Sequence, residues 1–504
     1  MAKICLCLTG KTIARNLEIL NKYRKYADIA EFRVDCLDPD ERFQIRRFPE
    51  QAGMPVILTI RRETDGGFFS GGEGARITLF SKGLAYAEAD RRKNFAYLDL
   101  EEDLDVPSLE EAARTFGTRI IRSFHNLTGV DENLADRMDR LRHIGDEIVK
   151  AAVYPQSLSD TLRIYREAAK IRGYDKIILG MGHFGTNTRI LAEKLGSCLS
   201  YVSVKDEDNL RQAAPGQLDP KELVDLYRFR KITANTKLLG ILGYPLHATS
   251  SPPFFNRTFT EENIDAVYVP FPADTLESFF ELADELNLQG ISVTVPYKEE
   301  VLPLLAGRSE KVSSVGACNT MVRTPEGWMG YNTDSRGFSD SLLNFIGKKD
   351  LAGKRISIIG AGGAARAVAF EVFRLRGKAL ILNRTPARAR RLAQPYKFAC
   401  AAADPEGAEL MRRYSDIIIQ TTSAGMAPDI AGDPMPDYSF TGSEKVMDLV
   451  YKPEETVFLK RAAAAGCPVI NGHDMLIRQA IYQYQYFMGV EFPAQLRNRI
   501  DLTE

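Results

Sequence analysis

The sequence has almost no excess charge of either sign. Its 504 residues include 66 lysines and arginines and 67 acidic residues, which gives a net charge of −1. Such a chain has no global field to hold nucleic acid or an anionic membrane. We therefore expect no nucleic acid and no membrane among its binding partners.

Cysteine pairs and long apolar runs are also lacking. The seven cysteines are scattered and form no CxxC pair, which signals neither a disulfide framework nor a zinc site. We expect reduced thiols, mostly in the core, and no metal site. No run of about 18 apolar residues is present, and the first apolar run is too short for a signal peptide. These absences predict a soluble, cytoplasmic protein.

The composition, 44% apolar and 26% charged, is that of a globular chain long enough for two or three domains. Short apolar runs recur up to about position 205, with amphipathic stretches between them. Eight strands are predicted: Lys3–Leu8, Ile29–Val34, Pro55–Ile60, Phe95–Leu100, Arg119–Ser123, Ile148–Val153, Lys176–Met181 and Ser200–Val204. Eight strand and helix units in slightly over 200 residues favour a (β/α)8 barrel over a doubly wound open sheet, because no glycine-rich phosphate turn occurs here.

Side chains at the carboxyl ends of barrel strands converge on one mouth. Lys150 lies in the otherwise apolar strand of DEIVKAAVYPQSLSD. Desolvation there is expected to lower the pKa of the amine toward the free form that attacks a ketone. The alternative is a structural ion pair with Glu31 or Glu101.

His125, in RSFHNLTG, comes shortly after the preceding predicted strand. Its imidazole is suited to take a proton beside an iminium and to return one to a leaving hydroxyl, although a lone histidine is often structural. Lysine and histidine on adjacent strand ends suggest Schiff-base chemistry, either an aldol cleavage or a dehydration. Arg33, Arg61 and Arg189 add a clamp for a carboxylate.

A family resemblance rests on EFRVD at 31–35, TIRR at 59–62, SFHNL at 123–127, VKAAVYPQSLSD from 149, MGHFGTNTR at 181–189 and APGQ at 214–217. This segment resembles type I 3-dehydroquinate dehydratase. The resemblance implies an imine at Lys150, acid and base catalysis by His125, and substrate contacts from Glu31, Arg33, Arg61, Arg189 and Gln217. Asp65 replaces a usual glutamate, and Ala213 replaces a hydroxyl residue that is common in the lid.

The segment 221–236 reads as one short helix and a polar connection, and we expect it to link the barrel (1–220) to a second α/β region. Within that region, GKRISIIGAGGAARAVAF places glycines between a strand and a helix, where backbone N–H groups can cradle a pyrophosphate. The spacing is not the usual GxGxxG, and an exposed basic helix start is the alternative.

The next predicted strand, Ala379–Leu382, ends at Asn383, Arg384 and Thr385, with Arg388 one turn on. An acidic residue there would indicate NAD, whereas arginines and a threonine suit a 2′-phosphate. The predicted cofactor is therefore NADP.

Lys298 and Asp334 form the reactive pair among the remaining motifs. A lysine held by a carboxylate can protonate the alkoxide that forms when a carbonyl is reduced. The alternative is a structural ion pair.

Four further motifs carry a second family resemblance: GISVTVPYK at 290–298, GACNT at 316–320, YNTDSRGF at 331–338 and NGHDMLIRQA at 471–480. With them, the chain from about residue 237 onward resembles shikimate dehydrogenase. The resemblance implies Lys298 and Asp334 as the catalytic pair. Substrate ligands would be Thr249, Ser251, Thr294, Asn319, Tyr451 and Gln479. The cofactor site would comprise Gly360, Ala361, Gly362, Gly363, Ala364, Asn383, Arg384, Thr385, Arg388 and Gly472.

The resemblance to shikimate dehydrogenase also implies a substrate lobe at 237–340, completed by 475–504, and a Rossmann-like NADP lobe at 341–474. At 248–252 the sequence reads ATSSP, so Thr249 supplies one hydroxyl and the family's usual histidine is displaced to 247.

The order of the two halves resembles that of bifunctional enzymes of plants and some bacteria. The resulting prediction is a dehydration of 3-dehydroquinate to 3-dehydroshikimate, followed by NADPH-dependent reduction to shikimate. Two alternatives are a second half that accepts quinate, and a ligand-sensing regulator built on degraded copies of these domains.

Overall fold

The computed structural model describes residues 1–85, 88–143, 145–205, 210–211, 213–246 and 249–497. His247 and Ala248 of the predicted substrate motif, and 498–504 of the segment predicted to complete the substrate lobe, lie outside these residues. The chain divides into two compact units, residues 1–288 and the chain from Gln289 onward. This division falls inside the predicted lobe 237–340, and the domain boundaries drawn from the sequence stay predictions.

The first unit begins with eight parallel strands that alternate with helices. Their bounds are β1 Lys3–Leu8, α1 Ile13–Tyr23, β2 Ile29–Arg33, α2 Phe48–Ala52, β3 Val56–Thr59, α3 Glu73–Leu84, β4 Tyr97–Glu101, α4 Pro107–Thr115, β5 Arg119–Asn126, α5 Leu134–Arg140, β6 Ile148–Val153, α6 Leu158–Lys170, β7 Lys176–Gly180, α7 Gly182–Ile190 and β8 Leu199–Val202. Each predicted strand is found, within a few residues of its predicted bounds.

The strand order β7-β6-β5-β4-β3-β2-β1-β8 makes a barrel. It closes at an isolated parallel bridge between Lys176 and Ser197, where the Cys198 N–H donates to the Lys176 carbonyl oxygen at 2.8 Å. The predicted (β/α)8 barrel is confirmed.

Alternation along the strands sorts the barrel interior into layers. Ile29, Ile57, Ile121, Ile148 and Ile177 belong to one buried apolar cluster. Because side chains two positions apart share a face of a strand, the next inward positions lie one layer nearer the mouth. Four of these five positions are polar, namely Glu31, Thr59, Ser123 and Lys150, and the fifth is Leu179 on β7. The barrel interior therefore has an apolar layer and, nearer the mouth, a buried layer of polar and charged side chains, which we call the ionic layer.

The predicted linker 221–236 contains a π-helical turn, Glu222–Leu226, and a 3-10 turn, Phe229–Lys231. Four of its apolar side chains are buried, those of Leu223, Tyr227, Phe229 and Ile232. The segment therefore packs against its neighbours, which its predicted polar character did not indicate.

The first unit continues through β9 Lys237–Gly243, α8 Ser251–Glu261, β10 Ala266–Pro272 and α9 Leu276–Glu285. The two strands run parallel, from the pair Lys237 and Ala266 to the pair Gly243 and Pro272.

The second unit starts with β11 Gly290–Val293, β12 Gly307–Arg308, α10 Glu310–Val315, β13 Thr320–Thr324, β14 Gly327–Tyr331 and α11 Asp334–Ile346. β13 pairs antiparallel with both β11 and β14. A parallel sheet of six strands follows, with helices between and after its strands. The elements are β15 Arg355–Ile359, α12 Gly363–Arg374, β16 Lys378–Asn383, α13 Pro386–Ala393, β17 Ala399–Ala402, α14 Pro405–Met411, β18 Ile417–Gln420, β19 Lys445–Asp448, α15 Val457–Ala464, β20 Val469–Ile470 and α16 His473–Met488.

This parallel sheet has the order β17-β16-β15-β18-β19-β20. Numbered along the chain, that is the 3-2-1-4-5-6 order of a dinucleotide-binding fold, whose ligands bind where the order reverses, at the carboxyl end of the first strand. The Rossmann-like prediction is confirmed. In the described part of the chain, no helix combines the length and the apolar character needed to cross a bilayer.

Candidate active sites

Lys150 lies in β6 within the ionic layer of the barrel and is 4% exposed. Its Nζ donates to Asp99 Oδ2 at 2.8 Å and lies 3.8 Å from Glu31 Oε1 and 4.4 Å from the centre of the Tyr201 ring. Glu101 pairs with Arg61 and Arg76. The ion pair with Glu31 that the sequence offered as an alternative is present, but Asp99, which the sequence analysis did not name, lies closer to the amine.

Burial by itself would raise the pKa of Asp99, but the adjacent Arg61 and Lys150 cations outweigh it and lower that pKa below its usual range. Asp99 therefore remains an anion, with Ser123 Oγ donating to it at 2.6 Å. It fixes the Lys150 amine in the layer.

His125 follows on β5, where register pairs Ser123 with Lys150 and His125 with Ala152. Its Nδ1 is buried and has no hydrogen-bond partner among the residues that the structure describes, and the carboxylate oxygen Asp65 Oδ1 lies 3.8 Å away. Burial, reinforced by the Arg61 and Lys150 charges, holds the pKa of His125 well below its usual range. A neutral imidazole of this kind is suited to accept a proton.

The three predicted arginines differ in how their charge is balanced. Arg33 pairs with Asp35 through two hydrogen bonds of 2.9 and 2.7 Å, and Arg61 pairs with Asp99 and Glu101. Arg189 is 1% exposed, and within the described ranges its hydrogen bonds go only to backbone carbonyls, those of Gly180 and Tyr201. Burial lowers its pKa to about 10.

An unbalanced buried cation is costly unless an anion reaches it. Among the three arginines, Arg189 is therefore the one whose charge is available to a ligand carboxylate.

One cavity at the barrel mouth brings the predicted residues together. It is lined by Glu31, Arg33, Arg61, Asp65, His125, Lys150, Arg189, Ala213 and Gln217, among others. The Gln217 side-chain oxygen is buried and has no partner among the described residues, while its Nε2 donates to Cys7 Sγ at 3.4 Å. The cavity thus offers an amine, an imidazole, a buried guanidinium and a free amide oxygen.

In the second unit, Lys298 Nζ donates to Asp334 Oδ2 at 2.5 Å. Asp334 is the first residue of α11, and its other oxygen accepts a hydrogen bond from Asn319 Nδ2 at 2.8 Å. The aliphatic part of Lys298 packs against Gly363, where an added Cβ would lie 3.1 Å from Lys298 Cδ. The amine therefore lies between a carboxylate and the first turn of the glycine-rich helix α12.

Amide and hydroxyl groups surround this pair. Asn319 Nδ2 also donates to Thr333 Oγ1 at 2.9 Å and reaches Gln479 Oε1 at 3.4 Å. One turn along α16, Gln483 Nε2 donates to the Asn319 carbonyl oxygen at 3.0 Å, and Ser292 Oγ donates to Gln483 Oε1 at 2.9 Å. Such a network suits a substrate rich in hydroxyl groups.

The other predicted substrate ligands are placed as follows. Thr249 and Ser251 adjoin each other at the start of α8, and Thr249 Oγ1 accepts the Ser251 N–H at 3.3 Å. The Thr294 carbonyl oxygen accepts the Tyr297 N–H at 2.9 Å in the turn before Lys298. Tyr451 is half-buried, three residues beyond β19.

The glycine-rich turn has the backbone that close approach to a phosphate requires. Gly360 has φ +118°, and a Cβ there would lie 2.3 Å from Thr421 Oγ1. Gly362 caps α12 and has nothing within 4 Å of an added Cβ, so its surface side is open. Ala361 and Ala364 flank these glycines, and Gly472 caps α16.

At the carboxyl end of β16, Asn383 Nδ2 donates to the Thr385 carbonyl oxygen at 3.1 Å. Arg384 and Arg388 are exposed, and in the described part of the chain neither has a carboxylate within ion-pair distance. The turn and the two free cations fit a dinucleotide that carries an additional phosphate.

Family models match both halves. A type I 3-dehydroquinase model matches residues 4–234, a shikimate dehydrogenase substrate-binding model matches 241–321, and a shikimate/quinate 5-dehydrogenase model matches 343–428. A curated bifunctional 3-dehydroquinate dehydratase/shikimate dehydrogenase of Arabidopsis thaliana is 29% identical over 93% of this chain and 79% of its own length. The chain belongs to this bifunctional family.

Relatives of the second half are similar over nearly their whole length. The shikimate dehydrogenase (NADP(+)) of Caldanaerobacter subterraneus is 36% identical over 52% of this chain and 95% of its own. A crystal structure of Aquifex aeolicus shikimate dehydrogenase covers 53% of this chain and 98% of its own, with 33% identity and a TM-score of 0.49. Together with the match of the type I 3-dehydroquinase model to the first half, the sequence relatives show that the chain joins a lyase and an oxidoreductase of the shikimate pathway.

Sequence reasoning missed part of both sites. Asp99 could have been recognised, because it is an acid that alternates with apolar residues in the buried strand YLDLE. Gln483 could also have been recognised, because it lies four residues after Gln479 and thus on the same helix face. The role of Thr333 depends on contact with residues far along the chain, which no local pattern reveals.

Proposed function

We propose that Lys150 and His125 carry the dehydration of 3-dehydroquinate. The Lys150 amine adds to the substrate ketone and forms an iminium with loss of water. His125 then takes the proton from the neighbouring carbon, and the electron pair moves into the iminium. The hydroxyl leaves with a proton returned by His125, and hydrolysis of the imine releases 3-dehydroshikimate and the free amine.

Arg189 is assigned to the substrate carboxylate. Supporting this is its buried charge, which no side chain of the described residues balances. Glu31, Arg33, Arg61 and Gln217 are assigned to the hydroxyl-bearing face, since they line the same cavity. This meeting of Lys150, His125 and Arg189 in one cavity is the observation that carries the proposal.

The second half is proposed to reduce 3-dehydroshikimate to shikimate. Lys298, held by Asp334, gives its proton to the oxygen of the carbonyl as charge develops there. Asn319, Gln479, Thr294, Tyr451, Thr249 and Ser251 are assigned to the substrate. The relative in Caldanaerobacter is named as an NADP(+) enzyme, and Arg384, Thr385 and Arg388 support the same cofactor here.

Gly360, Ala361, Gly362, Gly363, Ala364, Asn383 and Gly472 would hold the rest of NADP, which supplies the hydride.

A coupled assay tests this function. The purified chain, given 3-dehydroquinate and NADPH, is expected to oxidise NADPH and accumulate shikimate, whereas Lys150→Ala should do so only when 3-dehydroshikimate is supplied. If NADPH is not oxidised with either substrate, the result would contradict the proposal and favour the alternative of a ligand-sensing regulator. A parallel reaction with quinate and NADP tests the quinate alternative.

The domain organisation is proposed to be a barrel (1–220), a linker (221–236), a substrate lobe (237–340, completed by 475–504) and a cofactor lobe (341–474). Fragments 1–225 and 232–504 should each be soluble, the first as a dehydratase and the second as a dehydrogenase. An insoluble barrel fragment would contradict this organisation. A cytoplasmic location and the absence of nucleic-acid partners remain predictions.

A further inference from the structure

Residues 237–288, which follow the linker, contact the barrel at two of its strand-to-helix units. Asp274 Oδ1 accepts the N–H of Leu158, the first residue of α6, at 3.0 Å. Arg166 on α6 pairs with Glu281 on α9 at 2.9 Å. The strand before α6 carries Lys150, so this contact lies beside the catalytic end of the barrel.

A second contact lies at α7. The ring of Tyr244, one residue beyond β9, stacks on the ring of Phe184 with centroids 5.7 Å apart and planes inclined by 14°. Phe184 is buried in the first turn of α7. Arg189, with its unbalanced charge, is on the same nine-residue helix.

The other side of that first turn supports the loop that carries Gln217. The Gly182 N–H donates to the Pro215 carbonyl oxygen at 3.1 Å. Gly216 has φ +77°, and a Cβ there would lie 2.6 Å from the Gly182 carbonyl oxygen. Residues 213–217 therefore rest directly on the turn that Tyr244 contacts.

We propose that Tyr244 is a positioning residue of the dehydratase. It fixes the first turn of α7, and through that turn it places Arg189 and Gln217 at the cavity. This inference rests on the dehydratase function proposed for the barrel. A helix of nine residues has little stability of its own, so its placement depends on the side chains that pack against it.

Tyr244→Ala in the full chain is expected to raise the KM for 3-dehydroquinate about 3- to 10-fold, the range that corresponds to loss of one aromatic pair. The kcat should stay within about 2-fold, because Arg189 and Gln217 bind substrate and transition state alike. Tyr244→Phe keeps the ring and should restore the wild-type KM. Tyr244 is 40% exposed, so neither substitution removes a core side chain.

Asp274→Ala is the matched control. It removes a contact between the same two regions, but at α6 and away from residues 213–217, and the KM for 3-dehydroquinate should stay at the wild-type value. An unchanged KM in Tyr244→Ala, an equal rise in Asp274→Ala, or a fall in kcat alone would each overturn the inference. Absence of dehydratase activity in the wild-type chain would instead contradict the proposed function.

Discussion

The two lysines proposed as catalytic occupy contrasting environments. The side chain of Lys150 is 5% exposed inside the barrel, between Asp99, Glu31 and an aromatic ring. The side chain of Lys298 is 15% exposed, with Asp334 as its carboxylate partner and Gly363 against its stem. Lys150, the proposed nucleophile, is contacted by several side chains that fix its amine for bond formation. Lys298, the proposed proton donor, has one carboxylate partner and is more exposed, which leaves room for a substrate to approach.

The largest expected effect is that of Lys150→Ala. Loss of the nucleophile should lower dehydratase kcat by more than about 10³-fold. Lys150→Arg keeps the charge but forms no imine, and should fail equally. Borohydride added with 3-dehydroquinate should leave a covalent adduct at Lys150 in the wild type, located by peptide mass. An adduct elsewhere would refute the assignment, and shikimate oxidation, unchanged in both variants, is the control.

Lys298→Ala tests the other lysine. A group that donates the proton in the reduction accepts it in the reverse reaction, so loss of Lys298 is expected to lower the kcat for shikimate oxidation by about 10²- to 10⁴-fold. The KM should change less than kcat, because proton transfer acts mainly in the transition state. Steady-state kinetics measures both parameters, with dehydration as the internal control. Loss of dehydration in this variant would show that the two lysines do not act independently.

A smaller effect concerns cations that bind rather than react. Changing Arg384 and Arg388 together to alanine removes two charge-assisted contacts of about 1.5–3 kcal/mol each. The ratio of kcat/KM for NADP to that for NAD should therefore fall at least about tenfold. Arg390→Ala, an exposed arginine on the same helix, serves as the comparison. If the double variant keeps the wild-type ratio, the 2′-phosphate is held elsewhere.

The smallest effect is a shift in pH dependence. Because the pKa of His125 is depressed by burial and nearby cations, the imidazole stays neutral as pH falls through 6.5, its ordinary pKa. Dehydratase kcat/KM should accordingly decline only at lower pH. Asp65→Glu brings the carboxylate nearer to His125 and should move that decline upward by up to about one pH unit. Asp65→Asn, which removes the charge, should move it the other way.

Much of the fold could be predicted from the sequence because it depends on local patterns. β1 and β6 have the bounds that their apolar runs predict, since strands buried in a parallel sheet read as continuous apolar runs. The candidate residues came from motifs, and the barrel cavity brings together those expected in the first half.

Pairing across strands was not predictable in the same way. Asp99 and Lys150 are 51 residues apart, and alternation places both inward without saying which acid reaches which base. The same limit explains why three arginines suggested one clamp, although the acids beside Arg33 and Arg61 already balance two of them. The contact of Thr333 with Gln479 joins residues 146 apart and requires the folded chain.

The packing of α16 on α11 also bears on the order in which the barrel strands and the dehydrogenase network are completed during synthesis. Gly337 approaches Gln479 so closely that an added Cβ would lie 2.9 Å from its backbone nitrogen. The barrel has all its strands once Val202 has been made, whereas the dehydrogenase network waits for Gln479. At about 5–20 residues per second, those 277 residues take roughly 15–55 s. On the ribosome, a nascent chain therefore contains every strand of the first enzyme well before the second can assemble.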